Sequence, residues 1–91
     1  NACFDKSRLC KIAGMAQNGV ARSIRPVHTS ADGDSVYAMS VGTVQADMDM
    51  LGTLAADVMS EAILSAVKNA ETAYGYISAS DFLCCSGVNV A

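Results

Sequence analysis

The stretch GVARSIRPVHTSADGDSVYAMS, Gly19–Ser40, places the end of a helix, a proline stop, an acidic turn and a short alternating segment in immediate succession. Pro26 disfavours helical geometry at Arg25, so the helical element before it must end there. Val27 to Asp34 is rich in Ser, Thr, Asp and Gly and reads as a loop. From Ser35 to Val41 the chain alternates Val36, Ala38 and Ser40 with Tyr37, Met39 and Val41. That period of two predicts a buried strand with one small face and one large face. Asp32 and Asp34 stand two residues apart at the mouth of this strand.

Upstream, Asp5 can cap a helix whose apolar positions Leu9, Ile12, Ala13, Ala16 and Val20 recur at spacings of three and four. Gly14 and Gly19 each cost such a helix about 1 kcal/mol relative to Ala, which is tolerable if they let a neighbouring backbone approach closely. Downstream, Asp47 or Asp49 caps a second helix running to Lys68. Leu51, Leu54, Ala55, Val58, Ala62, Ala66 and Ala70 form its stripe, widened by Met50, Met59, Ile63 and Val67. So broad a face predicts contact on more than one side. From Ala70 onward, Gly75, the aromatics Tyr74, Tyr76 and Phe82, and the small residues around Ser78 read as a loop folding back over the core. Residues 84–91 read as a frayed tail.

The strand count bears on organisation. One strand and a stub at Asn1–Phe4 serve two amphipathic helices, whereas a sheet needs about three or more strands to stand alone. The expected fold class is therefore α/β (α+β), with two long helices packed on a sheet that an upstream segment or partner chain completes. The 91 residues form one segment of a larger domain.

Composition narrows the partners. The net charge is −3 and no basic run is present, which argues against a nucleic-acid footprint. No apolar run is read as reaching the roughly 18 residues that cross a bilayer, and Asp5, Lys6 and Arg8 stand where a secretory signal would carry its apolar core. No membrane partner is expected. Cys3, Cys10, Cys84 and Cys85 lack C-x-x-C spacing, and His28 is the one histidine, so no metal or cofactor is expected. Their apolar neighbours predict reduced, core-like thiols in a cytoplasmic protein.

The residues Arg22-Ser-Ile-Arg-Pro-Val-His-Thr29 and Asp32-Gly33-Asp34, with the two helices and Tyr74-Gly75-Tyr76, resemble the P1 peptidases, the DmpA or S58 family, most closely the nylon-oligomer hydrolase branch. The resemblance ends by Leu83. It implies an N-terminal-nucleophile hydrolase: a precursor cuts itself before a Thr or Ser, which then becomes the catalytic nucleophile. By that likeness the nucleophile is expected a short strand's length upstream of Asn1, because Asn1-Ala2 offers no hydroxyl. The implied fold is an αββα sandwich. Its implied partners are the upstream segment of the same precursor, a small amide or peptide substrate, and further copies in a homo-oligomer.

Asp32 and Asp34 are the candidate catalytic residues. From the motif alone, Asp-Gly-Asp is more simply a turn in which Asp caps its own backbone and Gly takes positive φ. The resemblance assigns these positions to the nucleophile's surroundings, where a carboxylate orients the hydroxyl and its ammonium and can accept a proton. His28 reads as a loop anchor rather than a base, since an N-terminal nucleophile uses its own amine. Arg22 and Arg25 read as helix-end arginines that satisfy carbonyls and the helix dipole, and the methionines as core. Two other readings use the same residues: a non-catalytic assembly module that kept the sandwich, and an acyltransferase resembling the ornithine acetyltransferases.

Overall fold

A computed structural model describes residues 1–87. Three helices follow one another: α1 (Lys6–Ser23), α2 (Met48–Asn69) and α3 (Ala79–Ser86). Asp5 caps α1 by accepting a hydrogen bond from the Arg8 N–H at 2.9 Å. Asp47, rather than Asp49, caps α2 by accepting from the Met50 N–H at 2.8 Å. Each cap satisfies an amide that the first helical turn leaves without an intrahelical partner. α1 stops at Ser23 with Ile24 extended, just short of the cis Arg25–Pro26 peptide.

α1 and α2 pack side by side, and their contact is built from small residues. A Cβ on Gly19 would strike the Ala56 carbonyl and come within 2.8 Å of the Met59 Cβ, so this glycine sets how closely the backbones approach. Gly52 answers from α2, where Met15 covers it. Gly14 has no such role: it is exposed and nothing lies within 4 Å of where its Cβ would be. The seam continues through Ser23 and Ser60, whose hydroxyls are 2.6 Å apart. Arg22 pairs with Asp57 at 2.9 Å at its rim, with both side chains more than half exposed. A pair so exposed adds little stability.

The apolar core of the described residues is Ile12, Ala16, Val20 and Ala56. On α2 it is Gly52 and Ala56 that are buried, whereas Met50, Leu54, Val58 and Val67 of the expected stripe are more than half exposed. The breadth of that stripe is real, but only one side of it is covered. The expectation that no segment is apolar enough to cross a membrane does not hold. α2 has 22 residues and a mean hydropathy of 1.4 over its most apolar window, which meets the length and composition of a span. Asp57 and Gly52 of that same helix are engaged with α1.

No strand forms over Ser35–Val41 among the described residues, which corrects that element of the predicted sheet. The alternation itself survives. Val36, Ala38 and Ser40 are half-buried, while Tyr37, Met39 and Val41 are 90, 85 and 90 % exposed. Side chains thus alternate between two sides as on a strand, but no neighbour pairs with the backbone. Pairing begins at the far end. Ala2 and Val44 form a parallel bridge, with the Cys3 N–H on the Val44 carbonyl at 2.8 Å and the Val44 N–H on the Asn1 carbonyl at 3.1 Å. The Ser40 hydroxyl donates to the Ala2 carbonyl. Gly42 lies against Asn1, where no Cβ would fit. The stub at Asn1–Phe4 therefore meets the segment leading into α2 in one isolated parallel bridge, with α1 lying between the two bridged residues in the chain. An α/β sandwich is not formed by these residues; what they form is a helix pair with one extended segment beside it.

The region after Ala70 differs from the predicted loop over the core. Ala73 and Tyr76 exchange two backbone hydrogen bonds, of 3.1 and 2.9 Å, around Tyr74 (φ 54°) and Gly75 (φ 81°). Positive φ at both central residues is the mark of a tight hairpin turn. Tyr74 and Tyr76 face solvent instead of the core. Ser78 then caps α3, accepting from the Asp81 N–H at 3.2 Å, while the Thr72 hydroxyl accepts from the Ser78 N–H at 2.8 Å and donates to Asp81 at 2.5 Å. Residues 84–86, expected in a frayed tail, are the last turn of α3, closed by Gly87 in the left-handed conformation; residues 88–91 of that tail lie outside the described residues. The four cysteines are free thiols and all exposed, not core-like. Ser78 is buried and the cap has no substitute, so Ser78→Ala is expected to lower stability by about 1 kcal/mol. Thermal melting of the full-length protein checks this, with Ser78→Thr, which keeps a capping hydroxyl, expected to avoid most of the loss.

Candidate active site

The site region starts where α1 ends. Beyond the cis Arg25–Pro26 peptide, exposed His28 takes a left-handed φ of 59°, a conformation that His tolerates better than most non-glycine residues. Among the described residues it makes no hydrogen bond, so the predicted anchoring role is not seen. The chain then turns at Thr29–Asp32. The Asp32 N–H donates to the Thr29 carbonyl at 3.1 Å, and the Thr29 N–H donates to the Asp32 carboxylate at 3.2 Å. The turn therefore precedes Asp32-Gly33-Asp34, with Ser30 and Ala31 at its centre, and Gly33 does not adopt the positive φ expected of it.

The two aspartates consequently differ in setting. Asp32 is exposed and its carboxylate is occupied by its own turn. Asp34 is also exposed, but makes no hydrogen bond or ion pair among the described residues. With Ser35 and Val36 it lines a hollow of about 260 Å³ whose other walls are Val20 of α1, Ile24 just past its end, and Met59 and Ile63 from α2. An apolar groove of about 340 Å³ lies between the two helices and Val36–Ala38. Asp34 is thus a carboxylate with free acceptor capacity beside aliphatic walls, able to orient a hydroxyl or an ammonium group and to take a proton.

Arg22 is not part of this arrangement, because its guanidinium is committed to Asp57. No cluster of metal-ligating side chains occurs among the described residues. Ile24 and Ile63 were not singled out as site residues from the sequence, and Met59 reads there as core in preference to the lining of an apolar cleft. Met59 and Ile63 stand four apart on α2, so their shared face was visible, but its proximity to Asp34 depends on how α2 crosses α1.

Comparison with known proteins bears on the same residues. The profile of peptidase family S58 matches residues 1–79, which include Asp32 and Asp34. An uncharacterized aminopeptidase of Mycobacterium leprae is 36 % identical over 80 residues, covering 71 % of this chain and 22 % of the relative. Uncharacterized aminopeptidases of Mycobacterium bovis and Mycobacterium tuberculosis are each 35 % identical over 90 residues, covering 82 % of this chain and 26 % of the relative. The chain thus spans about a quarter of the length of these relatives. No solved structure matches. With the family profile running from the Asn1–Phe4 stub across both long helices and the Thr29–Asp34 turn, the chain belongs to peptidase family S58.

Proposed function

We propose that this chain is part of an amide or peptide hydrolase whose nucleophile is a Thr or Ser at a self-processed N-terminus outside these 91 residues, with Asp34 and Asp32 at its side. The observation that carries the reading is the family match across residues 1–79, in which the acidic turn falls. The aminopeptidase names of the mycobacterial relatives support a substrate with a free amino end. Within that class the proposed substrate is a small amide, aminohexanoate oligomers included. Asp34 orients the hydroxyl and the terminal amine that takes its proton as the acyl bond forms, and its charge stabilises the ammonium so produced; Asp32 holds the turn that presents Asp34.

The fold proposed for the whole is an αββα sandwich. The half-buried small face of Val36, Ala38 and Ser40 against the helices and the open large face of Tyr37, Met39 and Val41 support it. The first face is that of a strand beneath a helical layer, and the second is free to meet another sheet. Strands supplied by the rest of the precursor would cover the groove between α1 and α2 and the exposed apolar flank of α2. Homo-oligomeric assembly and a reducing, cytoplasmic location belong to the same proposal; four exposed free thiols fit such a compartment.

The full-length protein tests the reading. Purified and incubated with amino-acid amides and aminohexanoate oligomers, it is expected to turn over at least one of them, and mass spectrometry is expected to find a new subunit beginning with Thr or Ser. An uncut, inactive protein favours the assembly module instead. Acyl transfer to an amino acid without net hydrolysis favours the acyltransferase. The 91 residues produced alone are expected to be molten, aggregated or oligomeric, because the core of Ile12, Ala16, Val20 and Ala56 is too small to offset the conformational entropy of folding. A sharp monomer peak in size-exclusion chromatography with cooperative melting contradicts that expectation.

A further inference from the structure

We draw no further inference here: the strongest candidate, the surface patch of exposed Tyr74, Tyr76 and Phe82 on the hairpin turn and the first turn of α3, carries nothing because nothing in the structure shows what covers it.

Discussion

Asp34→Asn in the full-length protein is expected, on the role proposed for Asp34, to lower kcat by about 10²–10⁴-fold, the usual range for losing a group that takes part in general acid–base catalysis, with little change in melting temperature. The amide keeps the size of the carboxylate but removes its charge and most of its proton affinity. Asp34 supports no hydrogen bond or ion pair among the described residues, so the folded state loses nothing by the exchange. On the proposed reading self-cleavage should slow as well, because the same hydroxyl would attack the chain before it attacks substrate, and uncut precursor is then expected to accumulate on a denaturing gel. Asp32→Asn is expected to be milder: the side-chain oxygen that accepts from Thr29 is retained, so the turn persists. Asp32→Ala removes that bond and should lose activity through displacement of Asp34. If Asp34→Asn instead lowers the melting temperature and leaves kcat and processing unchanged per folded molecule, Asp34 is a turn residue and leaves the active site.

The helices were legible because their signals are local. Asp5 and Asp47 cap where the sequence places caps, and the threes and fours of α1 put Ile12, Ala16 and Val20 on its buried face. The alternation over Val36–Val41 was equally legible and reappears as alternating exposure. Its hydrogen-bonded ladder was not, because a strand's partners are chosen by the rest of the fold and not by its own residues. α3 was missed although its ends were written in the chain: Ser78 three residues before Asp81 is a start signal, and Gly87 in the left-handed conformation is a stop. Eight residues are too few for periodicity to outweigh their Ser and aromatic content. Within the candidate site, Asp32 and Asp34 could be picked out by the family resemblance, since their type and spacing alone favoured a plain turn. Their unequal settings could not, since the turn closes at Thr29–Asp32 rather than around Gly33.

Gly14 and Gly19 looked alike in the sequence, and the structure separates them by what each would touch; this sets the second large effect. Gly19→Ala is expected to destabilise the full-length protein by about 2–3 kcal/mol. The new methyl would meet the Ala56 carbonyl and the Met59 Cβ, and neither can move unless the helices separate. That loss exceeds the gain of about 1 kcal/mol that Ala brings to a helix interior. Gly52→Ala places its methyl against the thioether of Met15, a flexible chain end that can swing aside, so the overlap and the helix gain should nearly cancel. Gly14→Ala meets nothing within 4 Å and should stabilise by about 1 kcal/mol. The ordering in urea midpoints is therefore Gly14→Ala above the parent, Gly52→Ala close to it and Gly19→Ala well below. Against a total stability typically of about 5–15 kcal/mol, the last is enough to reduce soluble yield. Because Val20 and Met59 line the hollow beside Asp34, a parted seam should also lower activity in Gly19→Ala beyond the loss of folded protein. Equal midpoints for the Gly19 and Gly14 variants would mean that α1 and α2 do not cross at Gly19 and Ala56 in the assembled enzyme.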